Sequence, residues 1–185
     1  MIRSPALLLT LLCLAGTAHA APATDAQVHK VMDTLGMGPL GTDMARLMID
    51  NMPALKRLPE TDRQCAQGPV RDLLDAHFRS TVITGLGDDG DQVVAGWLRF
   101  LPTPGGKSLA QAFAGARSST LGDKARAGLR DTDRGELEAF MASPTYSRFI
   151  AAFDADADLP DDIDVQMAKG LKDRCRIALT PDDIS

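Results

Sequence analysis

The sequence predicts an all-α fold: a single-domain helical bundle of about seven to eight helices. Three observations predict it. Apolar residues recur at i, i+3, i+4 and i+7 along almost the whole chain, the period of one helix face. Hydroxyl and acidic N-caps, some followed by proline, punctuate those stretches. The one strand-like run, Val82 to Thr84, is short and continues a helical stripe.

Residues 1–20 read as a secretory signal peptide. Arg3 precedes an apolar run from Ala6 to Ala15, and Ala18-His19-Ala20 supplies the small-x-small site for cleavage between Ala20 and Ala21. The run is too short to span a bilayer. Cys13 has Leu11, Leu12 and Leu14 around it, where a lipid-anchored cysteine wants small residues before it. The expectation is one all-helical domain over 21–185, periplasmic or secreted, with no stable membrane anchor after cleavage.

The stripes follow in order. Val28, Val31, Met32 and Leu35 form the first; Met44, Leu47, Met48, Met52 and Leu55 the second; Val70, Leu73, Leu74, His77 and Phe78 the third. Val93, Val94, Trp97, Leu98 and Leu101 come next, then Leu109, Ala112, Phe113 and Ala116. Leu137, Phe140 and Met141 precede Tyr146, Phe149, Ile150 and Phe153, and the last face holds Ile163, Met167, Leu171, Cys175 and Ala178. Thr24 with Gln27, Thr61 with Gln64 and Asp133 with Glu136 have capping-box spacing. Gly36, Gly38, Pro39 and Gly41 part the first two stripes, and Gly68-Pro69 should separate a short turn around Cys65 from a longer helix. The second stripe is methionine-rich; such stripes are usually core filler, though methionine also suits surfaces that grip varied apolar partners.

Residues 97–113, "WLRFLPTPGGKSLAQAF", repeat at an offset of 40 as 137–153, "LEAFMASPTYSRFIAAF". Phe100 falls on Phe140, Pro104 on Pro144, Ala112 on Ala152 and Phe113 on Phe153. Each copy reads as an apolar helix end, a break, a hydroxyl cap with proline at the first helical position (Thr103-Pro104, Ser143-Pro144), and a new helix. The shared phenylalanines are expected to meet in one core. The Gly105-Gly106-Lys107-Ser108 run is not a nucleotide loop: Leu101 stands where the first glycine of a Walker A loop belongs, and the preceding residues are helical. Gly105 and Gly106 should admit close approach, either of a second helix or of an anion held by free N–H groups and Lys107.

Cleavage after Ala20 removes Arg3 and takes the formal net charge from −5 to −6. An acidic chain of this kind argues against nucleic-acid partners, which attract basic patches. Cys65 and Cys175 remain, and in an oxidising compartment they are expected to pair, the alternative being two buried thiols. Closing a loop of 110 residues would stabilise the fold by on the order of 4–5 kcal/mol.

"DADADLPDDID", residues 154–164, invites a calcium reading. Asp154, Asp156, Asp158 and Asp162 occupy positions 1, 3, 5 and 9 of an EF-hand loop, but Leu159 replaces its glycine and Val165 its bidentate glutamate. The plainer reading is an acidic connection whose aspartates cap the last long helix. Catalytic chemistry is sparse. His77 lies on an apolar stripe, as a hydrogen-bonded structural histidine would; His29 reads as surface; no zincin or serine-hydrolase motif occurs. No catalytic residue and no cofactor is assigned.

Three segments carry a family resemblance: "VHKVMDTLGMGPLGTDMARLMIDNMPAL", "FLPTPGG" and "FMASPTY". Together they resemble an exported bacterial family, domain of unknown function 2059. In that family an early helix with a glycine turn leads to a Met/Leu-rich helix, followed later by a Phe-x-x-Ser/Thr-Pro-x-Gly helix start. The resemblance runs from Val28 to Phe153, with Tyr146 at the family's glycine position. It implies a helical periplasmic protein and supplies no catalytic residues. Taken together, the expectation is a non-enzymatic exported protein that binds another exported or envelope component, as an accessory factor or an inhibitor of a periplasmic toxin would. The alternative is a periplasmic small-ligand or calcium-binding protein, and a third option is a hydrolase with buried carboxylates.

Overall fold

The computed structural model describes residues 20–115, 121–154 and 159–184. These form helices α1 (Asp25–Thr34), α2 (Gly38–Asn51), α3 (Pro53–Lys56), α4 (Glu60–Leu86), α5 (Gly90–Phe100), α6 (Pro104–Gly115), α7 (Leu121–Arg126), α8 (Asp131–Met141), α9 (Pro144–Asp154), α10 (Ile163–Cys175) and α11 (Pro181–Ile184), with a 3-10 turn at Gly87–Asp89. No strand occurs among the described residues, so the chain is all-α. Eight of the helices have ten residues or more, the number the stripes predict; the short α3, α7 and α11 exceed it. Of the predicted stripes, only Ala116 falls outside the described residues, as do residues 1–19 of the segment expected to be a signal peptide.

Helix α4 is the spine, and two apolar cores share it. The larger gathers Val28, Val31 and Leu35 of α1, Val82 and Leu86 of α4, Trp97 and Phe100 of α5, Leu109 of α6, Leu137 of α8 and Phe149 of α9. The smaller gathers Ala45 and Ile49 of α2, Leu55 of α3, Val70 and Leu74 of α4, Met167 and Leu171 of α10, and Ile184 of α11. Phe78 packs against both. The disulfide between Cys65 and Cys175, Cα atoms 5.8 Å apart, ties the start of α4 to the end of α10.

The expected break at Gly68-Pro69 is absent: α4 runs unbroken through it for 27 residues. An interior proline removes one helical hydrogen bond, to the Cys65 carbonyl, at a cost of roughly 3 kcal/mol. Tertiary packing offsets that here. Pro69 is buried where α4 packs on α10, and a Cβ added at Gly170 would make ordinary van der Waals contact with the Pro69 Cβ at 3.6 Å. Cys65, one turn back, is held by its disulfide.

Of the capping boxes, Thr24 with Gln27 forms in full. The other two do not. Helix α4 starts two residues before Thr61 reaches a cap position, after Pro59, and Gln64 instead donates to Glu60 at 2.9 Å. Helix α8 starts after Arg130, whose guanidinium takes the Asp133 carboxylate at 2.8 Å. Both Ser/Thr-Pro caps form: the Gly106 N–H donates to Thr103 Oγ1 at 3.1 Å and the Tyr146 N–H to Ser143 Oγ at 3.3 Å.

The repeated units lie against each other. Phe100 and Phe140, equivalent in the two copies, stack with centroids 3.8 Å apart and planes 9° from parallel. Fully buried Trp97 meets Phe140 edge-on and donates its indole N–H to the Thr145 carbonyl at 3.1 Å. The first unit's glycines allow this closeness. A Cβ at Gly106 would fall 2.2 Å from the Phe100 carbonyl oxygen, and one at Gly105 3.2 Å from the Asp133 carbonyl oxygen on α8. Close approach of other helices therefore accounts for both glycines.

Candidate functional site

Two depressions meet at the start of α2, one apolar and one polar. The apolar cavity, about 610 Å³, opens where α1 hands over to α2 and where α6 and α9 end. Leu35, Met37, Phe113, Leu121, Ile150 and Phe153 line it, with Tyr146 inside and Asp43 and Asp154 at its edge. The repeat builds this pocket, because the equivalent residues Phe113 and Phe153 both face it. Gly36 shapes its floor. Its φ of +72° is a left-handed conformation that glycine adopts freely, and a Cβ there would lie 2.8 Å from Ala114 Cβ. Burial, then the Asp154 charge, pushes the Tyr146 phenol above its usual range.

Helix α2, which brings Asp43 to the cavity, also carries exposed apolar residues. Helix α2 packs on α4 through Gly41, Ala45 and Ile49, all buried and spaced four apart, a ridge that permits close helix approach. The core face is therefore not the predicted one. Met48 and Met52 are only partly buried, whereas Met44 is 37% and Leu47 56% exposed. The reason is legible after the fact: small Gly41 and Ala45 win the helix contact, turning Met44 and Leu47 outward. Asp43 at the cavity edge lies one turn before Leu47.

The polar cleft, about 390 Å³, lies across the start of α2 and is lined by His29, Asp33, Thr42, Arg71, Asp72, Asp75 and Arg79. Its arginines are engaged: Arg79 Nε pairs with Asp25 at 2.7 Å, and Asp72 takes both Arg71 at 2.7 Å and Arg174 at 2.6 Å. The hydrogen bonds from Arg174, then Arg71, hold the Asp72 carboxyl below its usual range. Asp33 and Asp75 instead converge on the first turn of α2. A Cβ at Gly38 would lie 3.4 Å from Asp33 Oδ1, and one at Gly41 would run into the Asp75 carboxylate. Two carboxylates thus face the positive end of a helix that has no side-chain cap of its own.

Burial nevertheless outweighs the nearby arginines at Asp75 and raises its pKa. A raised carboxyl favours folding while protonated; that contribution is complete below the ordinary carboxylate range and is lost as pH rises through the folded-state value. Asp75→Asn, which cannot ionise, should therefore gain stability relative to the native chain between acid and neutral pH. Parallel melting curves at several pH values test this; a difference that is flat or of opposite slope would contradict it.

The remaining predicted residues are dispersed. Lys107 is exposed on α6, and its own N–H donates to the Thr103 carbonyl at 2.9 Å. Asp154 sits at the apolar cavity, while Asp162 precedes α10 and accepts from Gln166 Nε2 at 2.9 Å. Asp156 and Asp158 lie outside the described residues. His77 is only partly exposed, and its Nε2 is buried with no hydrogen-bond partner among the described residues, unlike the bonded histidine expected. Sequence reasoning missed Asp33, Asp75 and the outward turn of Leu47. The glycine at 41, four residues before Ala45, was the available signal. No helix among the described residues is long and apolar enough to cross a membrane. Compared with family models, curated proteins and solved structures, the chain matches none.

Proposed function

We propose that this is a non-enzymatic exported protein that works by gripping another exported or envelope protein through the apolar cavity and the exposed face of α2. The observation that carries the reading is the apolar cavity, lined by Phe113, Ile150 and Phe153, together with exposed Met44 and Leu47 on α2, the helix that brings Asp43 to its lining. Aromatic and methionine side chains around a preformed depression suit an apolar anchor from a partner. Export is supported by the disulfide, which oxidising compartments favour. It is also supported by Asp91: the Ala21 backbone nitrogen donates to Asp91 Oδ1 at 3.2 Å, and cleavage before Ala21 would make that contact an ion pair. The family resemblance points the same way.

Charged substitutions on this surface test the reading. Leu47→Asp should keep the native melting temperature within a few degrees, whereas Ile150→Asp, at a residue packed partly against the larger core, should lower it; each should weaken capture of the partner at least about tenfold, as expected for losing an apolar contact at the interface. A control at exposed Gly135, Gly135→Ala, should bind as the native chain does. Equal capture by all three variants would refute it. The cavity volume also falls in the range of about 300–1,000 Å³ usual for small-molecule sites. A small apolar ligand is therefore the second reading, and native mass spectrometry showing a stoichiometric adduct lost in Ile150→Asp would favour it.

A further inference from the structure

Resting on the partner-binding reading, we propose that the cavity selects an apolar peptide anchor flanked by cationic residues. Three helices end at this cavity. Leu35 and Gly36 follow the last turn of α1, Phe113 and Ala114 close α6, and Phe153 and Asp154 close α9. Each C-terminus is the negative end of its helix dipole, and at α1 the Met32 and Asp33 carbonyls accept from the Met37 and Gly36 N–H groups. Asp154 adds a full charge at the negative end of its own helix, where a carboxylate is locally unfavourable. It is also where the two repeats part: the first copy has Ala114 at that place. Asp43 supplies a second carboxylate to the lining.

Opposing charge is scarce. No lysine, arginine or histidine lines the cavity among the described residues. Arg46 lies 3.7 Å from Asp43, but both side chains are well exposed, and such a pair screens little. The start of α2 would contribute positive potential, yet Asp33 and Asp75 already face it from the other side. Burial first, and then the Asp154 charge, raises the Tyr146 phenol, and both residues line the cavity. Carboxylates at the edge of an apolar depression focus their field into it, so a cation beside the anchor is attracted and an anion repelled.

Three blocked hexapeptides test this, each with a Leu-Phe anchor flanked by two lysines, two glutamines or two glutamates. Binding is measured by fluorescence polarisation at low salt with the native chain, with Asp43→Asn/Asp154→Asn, and with Ile150→Asp. The lysine peptide should bind about tenfold tighter than the glutamate peptide, with glutamine between, and the gap should shrink to under about threefold in the double Asn variant. Equal binding of all three, or the reverse order, overturns the charge selection; if that binding is still lost in Ile150→Asp, the cavity reading stands without it. If no peptide binds, or Ile150→Asp has no effect, the cavity reading falls and the inference with it.

Discussion

Removing the Cys65–Cys175 bridge, by reduction or by the double serine substitution, should lower the melting temperature by roughly 8–20 °C. The bridge joins residues 110 apart in sequence and closes a loop that spans α4 to α10. Opening it restores chain entropy to the unfolded state worth on the order of 4–5 kcal/mol. For a domain of this length each kcal/mol moves the midpoint by about 2–4 °C. The loss should concentrate in the smaller core, because α10 meets α4 there and α11 packs on α10 and α3. Beyond the disulfide, the contact of α10 with α4 holds the Asp72–Arg174 ion pair, which is half exposed and adds little. Thermal unfolding with and without reductant, under anaerobic conditions, measures this; a shift below about 2 °C would mean that native-state strain cancels the entropic term.

Gly106→Ala is the second large effect. In an ordinary helix alanine is favoured over glycine by about 1 kcal/mol. Here the new methyl would meet the Phe100 carbonyl oxygen at 2.2 Å and the Leu101 Cα at 2.6 Å, both backbone atoms of the turn between α5 and α6. Neither can rotate away, so the two helices must part, disturbing the Phe100–Phe140 stack and the packing around Trp97. Overpacking of this kind costs about 1–3 kcal/mol and sometimes more, enough to reverse the propensity gain. Net destabilisation of about 2 kcal/mol is expected by denaturant titration. Gly135→Ala is the matched control: nothing lies within 4 Å of a Cβ there, so the propensity term acts alone and stability rises by up to about 1 kcal/mol. Equal effects at 106 and 135 would show that the turn is looser than described.

Much of the fold was legible in the chain because helical periodicity is a local signal. The stripes of α1 and α5 name their buried faces correctly, with Val28, Val31 and Leu35 and with Val93, Val94 and Trp97; of the α9 stripe only Phe149 is fully buried, while Tyr146, Ile150 and Phe153 are partly so. The repeat was legible too, since Phe100 and Phe140 meet as its alignment requires. Failures occurred where a distant partner decided the outcome. Pro69 reads locally as a helix breaker, yet the packing of α10 on α4 and the disulfide hold the helix through it. Met44 and Leu47 read as core, yet Gly41 and Ala45 take the contact with α4 because small residues let the backbones approach. Thr61 and Asp133 had cap spacing, yet Pro59 and Arg130 mark the true starts.

The cavity was half legible. Phe113 and Phe153 stood out as repeat equivalents, but their convergence with Met37 and Tyr146 depends on how α1, α6 and α9 end side by side, a tertiary fact. Asp154 was noticed as part of an acidic run; the structure places it beside Tyr146 at an apolar opening. Asp75 gave no signal in the sequence, since its meaning lies in the bare Cα of Gly41 beneath it.

The most direct test of partner binding is a position-specific photo-crosslinking scan in the living envelope. A photoreactive residue is placed in turn at Leu47, Phe153, Val165 and Gly135, of which Val165 and Gly135 are exposed and remote from the cavity lining. Adducts of one mass from Leu47 and Phe153, absent from Val165 and Gly135, are the predicted result. Adducts of equal yield at all four positions, or from Val165 alone, would contradict the account.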